Sequence, residues 1–336
     1  MAYNDLIVRN AGGVSPDPIQ VPEQVSRVIL QETVKQSAVL NLATTTPMAA
    51  RVERMPAIDM FPTAFWLGDQ NMTAGQEDVA KKQTTSMKWK NISMEARELA
   101  VMVPVPDAYV ADTSFDLLGM IAPRLGEAIG VLLDQAVLFN VGNPWANRPE
   151  GKGIYPAAVT AGNTITAGHV VNSVATDAYA NIAEAGALLA NLGFDLGGAA
   201  TQIGYQWELA QARTTQGVSP YADAQISAST PQMPYGLQFA PVNNGAWDLT
   251  RAKLIVGDWS KCLIGIRQDI TMKVFDSGVI QDNTGAIVYN SMQQDGKVLR
   301  VTARFAFATL AYKTILHQGS DAYPFVVIRP AGAPAS

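Results

Sequence analysis

The longest regular pattern of hydrophobic positions in this chain lies between residues 115 and 140. Apolar side chains recur there at three- and four-residue intervals: Leu118, Ile121, Leu125, Ile129, Leu132, Ala136 and Phe139. This period predicts one long helix that begins after capping candidates at 112–114 and ends before Gly142 and Pro144. With a rise of about 1.5 Å per residue the helix would be about 39 Å long, so we expect it to lie across a sheet.

A second pattern, typical of extended chain, occupies residues 47–98. Pro56 and Pro62 interrupt its first limb, a polar stretch follows, and Met87 and Trp89 alternate with lysines in the second limb. This arrangement predicts a long hairpin with a polar tip. A two-stranded ribbon is not stable alone in water, and the aromatic residues of the limbs favour another subunit as the surface that covers them. The alternative is an edge hairpin of the subunit's own sheet.

The remaining segments predict an arm, a lobe and a closing set of strands. Residues 1–22 are rich in proline and glycine, and an amphipathic helix is expected from Pro22 to about Asn41. Such an arm either frays or docks on a neighbouring subunit. A compact α/β lobe is predicted from two helices and two strands, at 177–192, 206–213, 199–204 and 236–242. The strands expected beneath the long helix are 254–259, 262–267, 270–275 and 298–310.

Composition excludes several classes of function. The chain has 336 residues, of which 48% are hydrophobic and 16% charged, and its net charge of −5 offers no basic stripe for nucleic acid. The single cysteine, Cys262, excludes an internal disulfide, and His169 and His317 have no neighbours at ligand spacing. Neither a signal peptide nor a run of 18 apolar residues is visible. We therefore expect a soluble, cytosol-made protein with no cofactor, no metal and no membrane contact.

Catalytic motifs are not convincing in this sequence. Asp258 precedes Trp259 and could be an acid beside an aromatic wall, but we interpret it as a turn aspartate that accepts backbone hydrogen bonds. Ser219 is followed by proline and lacks the second glycine of a nucleophile elbow. The glycine-rich stretch 193–198 lacks the lysine of a phosphate-binding loop. We therefore predict that the chain is not an enzyme.

Several short runs carry a resemblance to a known family. They are a glycine–aspartate–aromatic turn with the strand after it, a Pro-Val segment, the last core strands and the end of the long helix: Ile255 to Lys261 with Ile266-Arg267, Tyr235-Gly236 with Pro241-Val242, Arg300 to Leu310, and Asp134 with Asn140-Val141-Gly142. In these runs, and in the order of its parts, the chain resembles the major capsid proteins of tailed phages, which share the Hong Kong 97 fold. The resemblance covers nearly the whole chain and rests on layout more than on any one motif.

The resemblance implies an α+β fold of the Hong Kong 97 type. Its parts are an N-terminal arm, a long extended β-hairpin loop, a peripheral domain with a long spine helix on a β-sheet, and an inserted axial α/β domain. The implied boundaries are arm 1–46, extended loop 47–98, peripheral domain 99–146 with the spine helix at 115–140, axial domain 147–250, peripheral strands 251–330 and tail 331–336.

The function implied is that of a major capsid protein of a tailed bacteriophage. Such a chain assembles with itself into pentamers and hexamers of an icosahedral shell that encloses the double-stranded DNA genome without sequence-specific contact. Scaffolding, portal and decoration proteins are further expected partners, and the expected location is the virion after assembly in the host cytoplasm. Two other classes stay open: an encapsulin-type nanocompartment shell protein, and a soluble α/β enzyme or binding protein whose long helix is only a core helix.

Eight residues are candidates for contacts between subunits: Trp66, Asp69, Glu77, Lys81, Lys82, Trp89, Arg300 and Arg304. The first six lie in the extended loop. The two arginines are four apart in a strand and share one face, where solvation or pairing between subunits is favoured over phosphate binding. Some family members cross-link a loop lysine to an asparagine, but no motif here identifies a partner for the loop lysines.

Overall fold

The computed structural model describes residues 37–66, 84–106, 117–171, 174–202, 204–212, 234–282 and 284–333. Within them the helices are α1 (Ala38–Leu42), α2 (Leu117–Phe139), α3 (Ile154–Ala161), α4 (Ala178–Leu192), α5 (Tyr205–Gln211) and α6 (Ser291–Gln294). The strands are β1 (Thr44–Pro47), β2 (Val52–Met60), β3 (Lys88–Glu95), β4 (Arg97–Pro106), β5 (Thr164–Thr166), β6 (Val170–Val171), β7 (Val174–Ala175), β8 (Gly198–Gln202), β9 (Gln238–Val242), β10 (Leu254–Gly257), β11 (Cys262–Phe275), β12 (Val279–Gln281), β13 (Ile287–Asn290), β14 (Gly296–Thr309) and β15 (Phe325–Arg329).

The described residues divide into two compact units. The larger unit draws on 34–98, 127–267 and 304–336, and the smaller unit on 99–126 and 268–303. The elements α2, β4, β11 and β14 each pass from one unit into the other. None of the helices in the described part of the chain is both long and apolar enough to cross a bilayer.

A five-stranded sheet forms the centre of the larger unit, in the order β5–β15–β10–β8–β9. Strand β10 lies antiparallel to both of its neighbours, whereas the outer strands β5 and β9 run parallel to theirs. Leu254, Ile255 and Val256 of β10 are fully buried, because this strand is covered on both faces. Leu254 and Val256 share one core cluster with Ile182 and Leu189 of α4.

This sheet corrects one expectation. Residues 254–259 were expected to join the later strands beneath the long helix, but β10 is instead the central strand between β15 and β8. The continuous apolar run of β10 indicates that the strand is buried, but it does not indicate which sheet the strand joins. The helix predicted at 177–192 is confirmed as α4, which the Asp177 carboxylate caps by accepting a hydrogen bond from Ala180 N at 2.8 Å.

The predicted long helix is confirmed as α2, and residues 115 and 116 lie outside the described residues. One face of its second half is buried, with Ile129 and Val137 at 0% exposure, whereas Leu132 is 46% exposed. The helix ends at Phe139, and the next residue, Asn140, has a left-handed φ of 62° and a side-chain oxygen that accepts a hydrogen bond from Gly153 N. Arg251 donates to the Phe139 carbonyl at 3.2 Å, a favourable place for a cation at a helix C-terminus.

The helix expected from Pro22 to about Asn41 is wrong in its described part. Ser37 has an extended backbone (φ −92°, ψ 116°), and its side chain accepts a hydrogen bond from Leu40 N, so it starts a separate short helix, α1. Residues 1–36 lie outside the described residues. The buried side chains of α1 and the parallel pairing of β1 with β11 join this part of the chain to the larger unit.

In the smaller unit β11, β14 and β4 are neighbours in that order, and the Thr271 and Thr302 hydroxyls of β11 and β14 lie 2.9 Å apart. The sequence pattern predicted two strands, 262–267 and 270–275, but β11 is one continuous strand. Half-buried and exposed residues alternate along β11, and this alternation continues through the polar residues Arg267, Gln268 and Asp269. The hairpin β12–β13 was not predicted.

Candidate functional site

The predicted hairpin is present as a two-stranded sheet separate from the others in the described residues. Strands β2 and β3 pair antiparallel, from Val52 opposite Glu95 at the base to Met60 opposite Lys88 at the far end. The expected tip, residues 67–83, lies outside the described residues. Because β2 and β3 join neither of the larger sheets, the alternative of an edge hairpin on the subunit's own sheet is wrong.

An arginine cluster fixes the base of the hairpin. The Glu95 carboxylate, 9% exposed, accepts a hydrogen bond from Arg51 at 2.9 Å, from Arg148 at 2.8 Å and from Arg97 at 3.4 Å. Arg148 also donates to Ser93 Oγ at 2.9 Å, so its planar guanidinium bridges two residues of β3. Such charge-assisted contacts hold β3 against the loop after α2.

Apolar packing under the base supports the same attachment. Ile92 and Met94 of β3 are buried in a cluster with Met48, Leu263 and Ala306 of the larger unit. The Trp145 indole, itself buried, donates a hydrogen bond to the Glu95 carbonyl at 2.8 Å. The base of the hairpin therefore belongs to the core of the larger unit and is not a free ribbon.

Two ion pairs hold the hairpin further along its length. Lys90 pairs with Asp321, and Lys313 approaches Asp59 at 3.5 Å. Both partners come from the segment between β14 and β15. These pairs are partly exposed, so each contributes at most about 1 kcal/mol in water.

The far end of the hairpin presents apolar side chains to solvent. Trp66 is 98% exposed, Trp89 60% and Phe65 50%, and Met60 and Met87 are also exposed. These five residues are called the aromatic end of the hairpin below. Two of the eight candidate contact residues, Trp66 and Trp89, lie in it. Four others, at positions 69, 77, 81 and 82 (Asp69, Glu77, Lys81 and Lys82), fall outside the described residues.

The two candidate arginines of β14 have different surroundings. Arg304 makes two hydrogen bonds to one oxygen of Glu98, at 2.8 and 3.2 Å, within the same chain. Arg300 is half-buried, and its guanidinium carbon lies 4.6 Å from the ring centre of Phe275 in a cation–π contact. The structure thus gives each of the two arginines an intrachain contact.

Sequence reasoning noted Asp134 only as part of a resemblance and missed its role. This buried carboxylate of α2 accepts hydrogen bonds from Ser37 Oγ at 2.6 Å, from Ala38 N at 3.1 Å, from Val39 N at 3.3 Å and from Asn244 Nδ2 at 2.8 Å. Burial raises the pKa of Asp134, and the hydrogen bonds from these donors oppose that shift. Asp134 therefore ties α2 to the start of α1 and to the loop after β9.

Asp258 is the turn residue that the sequence predicted. Its carboxylate accepts hydrogen bonds from Ser260 N at 3.1 Å and from Ser260 Oγ at 2.6 Å, and so caps a short 3-10 helix. Burial raises the pKa of the Cys262 thiol, which keeps this free cysteine in its unreactive form. Among the described residues, no three His, Cys, Asp or Glu side chains are grouped as a metal site.

An anchored ribbon with an exposed aromatic end is typical of a subunit that docks on other protein chains. Comparisons with known proteins agree with this class. A model of the phage capsid family matches residues 19–317, and the chain belongs to that family.

Individual relatives support the assignment. The major capsid protein of Staphylococcus phage 80alpha is 26% identical over 280 residues, which are 83% of this chain and 78% of that protein. A solved chain from Microbacterium phage Oxtober96 is 31% identical with a TM-score of 0.73, covering 88% of this chain and 91% of that chain. One from Mycobacterium phage Adephagia is 28% identical with a TM-score of 0.73, covering 89% and 91%.

These findings establish the function at the level of the family. The chain is a major capsid protein of a tailed phage, in a family of structural proteins and not of enzymes. Its mixed α and β architecture matches the solved phage structures. The nanocompartment and the soluble enzyme or binding protein are not favoured.

Proposed function

We propose that the chain is a shell subunit of the Hong Kong 97 type that assembles with itself into pentamers and hexamers of an icosahedral head around double-stranded DNA. Family membership supports assembly into a capsid. To family membership the proposal adds the arrangement of subunits in the shell and the contacts that hold neighbouring subunits together. In it, the hairpin β2–β3 reaches over an adjacent subunit and docks through its aromatic end.

The proposed domains follow the boundaries expected from the sequence, with two refinements. The arm, 1–46, includes α1 and β1, which pack into the larger unit, so the part proposed to reach a neighbour is the one before Ser37. The axial domain, 147–250, shares its sheet with β10 and β15 from the 251–330 segment. The extended loop 47–98, the peripheral parts 99–146 and 251–330, and the tail 331–336 are kept as proposed.

The contrast between the two ends of the hairpin carries this proposal. Glu95 and its arginines fix the base, whereas Trp66 leaves nearly its whole side chain in water. Large exposed aromatic side chains are the residues that most often dominate protein–protein interfaces. A hairpin already fixed at its base loses less conformational entropy on docking than a free loop would, so more of the contact energy remains as affinity.

Charged residues have a secondary part in the proposed contacts. Arg304 and Glu98 form an exposed pair worth at most about 1 kcal/mol, so exchange of either partner for a group on a neighbour costs little. We place Arg300, Asp69, Glu77, Lys81 and Lys82 in the same set of proposed intersubunit contacts. Charge pairs at the rim of an interface mainly set register and partner choice.

The proposal also covers partners and location. A separate scaffolding protein, a portal and decoration proteins would act on the assembling shell in the host cytoplasm, and the finished subunit would reside in the virion. DNA would be enclosed without sequence-specific contact, in keeping with a net charge of −5 and no basic stripe in the sequence.

A tryptophan exchange tests the hairpin contact. In Trp66→Ser we expect the folded subunit to be retained and shell formation to be lost or strongly reduced, because a fully exposed side chain supports no intrachain packing. The matched control is Trp207→Ser, since Trp207 is 65% exposed and belongs to α5, an element outside the hairpin. Negative-stain electron microscopy and size-exclusion chromatography of both variants, beside the parent chain, give the readout.

Two results would contradict the proposal. Shells of normal diameter and yield from Trp66→Ser would show that the aromatic end is not a contact. Equal loss of shells in both variants, with unchanged melting temperatures, would show that the hairpin has no special part among the exposed aromatic surfaces.

A further inference from the structure

The loop between β9 and β10 contains the sequence Asn244-Gly245 at a buried carboxyl group. Asn244 is half-buried, whereas Gly245 is exposed with a φ of +80° and has no atom within 4 Å of the position a Cβ would occupy. Gly245 also lines an open cavity of about 340 Å³, with Gln135 and Leu249. Water therefore reaches the backbone that follows Asn244.

The amide group of Asn244 is held at both of its polar atoms. Its nitrogen Nδ2 donates to Asp134 Oδ2 at 2.8 Å. Its oxygen Oδ1 accepts a hydrogen bond from Ala246 N at 3.0 Å. The side-chain carbonyl carbon thus has an N–H donor on its oxygen and a carboxyl group beside its nitrogen.

We propose that Asn244 is a site of spontaneous covalent modification, in which the backbone nitrogen of Gly245 attacks Cγ of Asn244 and expels the side-chain nitrogen as ammonia. The bond formed joins Gly245 N to Asn244 Cγ, and the bond broken is Cγ–Nδ2. The proton of Gly245 N goes to solvent hydroxide, and the leaving nitrogen takes a proton from the Asp134 carboxyl, which regains it from water. Water then opens the five-membered imide to an aspartate or isoaspartate at position 244.

Each neighbour of the amide has a part in this reaction. The Ala246 N–H lies where negative charge develops on Oδ1 as the tetrahedral intermediate forms. Asp134 lies within hydrogen-bonding distance of the leaving nitrogen, as a general acid must. Burial raises the pKa of Asp134, which helps it to keep a transferable proton. Because residue 245 is a glycine, it has no side chain of its own to hinder the attacking nitrogen.

The product changes the contact that holds α1. An acid at position 244 no longer donates to Asp134 and places a second carboxyl group against it, which disfavours the ionised pair. The same Asp134 accepts the hydrogen bonds from Ser37 and from the first amides of α1. Modification would therefore loosen the start of α1 with time, without any enzyme.

The experiment follows the mass of the peptide that contains position 244. The purified full chain is incubated at neutral pH, in parallel with the same chain unfolded in urea and with a synthetic peptide of residues 240–250. We expect the folded chain to form imide, aspartate or isoaspartate at least about tenfold faster than either control, because only the folded chain holds Ala246 N–H and Asp134 at the amide.

Two variants test which groups take part in the reaction. Asp134→Asn should slow the folded chain towards the rate of the peptide, and Gly245→Ala should slow the reaction in the folded chain and the peptide alike. The urea-unfolded parent chain gives the rate without the folded contacts of Asn244, so the test does not depend on whether Asp134→Asn folds. A folded chain that converts no faster than the peptide would overturn the proposal, since the two hydrogen bonds would then protect the amide.

Discussion

Asp134 is a residue at which two large effects oppose each other. Four hydrogen-bond donors surround its carboxylate, and each favours the charged form, yet the group is fully buried among the ends of α1, α2 and the loop after β9. Desolvation is the larger effect and raises the pKa. In the folded chain the carboxyl group therefore keeps a proton to higher pH than it does when the chain is unfolded.

The direction of this pKa shift predicts how stability changes with pH, and Asp134→Asn tests that prediction. A group whose pKa is higher in the folded state contributes most to stability below its unfolded pKa, and that contribution is lost as pH rises through the folded value. Because asparagine does not titrate, the gap in unfolding free energy between parent and variant should narrow as pH rises. We expect the variant to be less stable by about 1–3 kcal/mol at acidic pH. The reason is that its side-chain amide places N–H donors next to the hydrogen-bond donors that surround position 134.

Urea denaturation of both chains at a series of pH values measures this gap. A gap that widens with rising pH would show that the hydrogen bonds outweigh burial and that the folded pKa is lowered. Lys253→Ala is a useful control, because its ion pair with Glu208 is exposed and should give a small, nearly constant difference.

The sequence could not reveal the partners of Asp134. An acid in an amphipathic helix is ordinarily read as part of the solvated face. The partners Ser37 and Asn244 are 97 and 110 residues away in the chain, and only the folded backbone brings them together. By contrast, Asp258 caps its own turn through residues two positions later, so its role was predictable from local sequence.

Elements were predictable where the pattern is long and its ends carry their own signals. For α2 the predicted range 115–140 and the observed Leu117–Phe139 agree throughout the described residues except at Asn140, and residues 115 and 116 lie outside the described residues. For β11, the sequence predicted two strands separated by Gln268 and Asp269, although alternation of half-buried and exposed residues continues through these two residues. Helix α3 was missed because Ile154–Ala161 is short and carries a proline, which is tolerated only in the first turn.

The hairpin base is the element whose energetics are easiest to test. In Arg148→Ala we expect faster amide hydrogen exchange in β3 and β2 and a loss of about 1–3 kcal/mol, because the nearly buried Glu95 carboxylate and Ser93 each lose a donor. Arg97→Ala is the matched control, since Arg97 contacts the same carboxylate at 3.4 Å from a more exposed position. There we expect a change below about 0.5 kcal/mol.

Hydrogen exchange read by mass spectrometry distinguishes the two arginines. Equal protection of β2 and β3 in the parent chain and in Arg148→Ala would mean that apolar packing of Ile92 and Met94 alone holds the base. A large effect of Arg97→Ala would instead mean that the whole arginine cluster acts as one network.

At the scale of the whole molecule, folding and assembly depend on different parts of the same hairpin. The base contributes Ile92 and Met94 to the core of the larger unit, whereas among the described residues no member of the aromatic end belongs to that core cluster. Layout along the sequence predicted the hairpin and its exposed aromatic residues. It could not predict the attachment, which depends on Arg148 and on Asp321, far from β3 in sequence.

Removing most of the aromatic end (Phe65, Trp66 and Met87) separates these two roles. Because Met60 lies opposite Lys88, residues 61–87 can be replaced by a short glycine–serine turn that keeps the ladder of β2 and β3. We expect the shortened subunit to fold with an unfolding free energy within about 1 kcal/mol of the parent, because every buried contact of the base remains. It should nevertheless form far fewer shells or none, since Phe65, Trp66 and Met87 are gone and only Met60 and Trp89 remain of the surface proposed to dock on a neighbour. Circular dichroism, urea denaturation and electron microscopy on the same sample measure both halves of this prediction. Shells from the shortened chain would move the intersubunit contacts away from the hairpin, and loss of folding would mean that the far end supports the subunit itself.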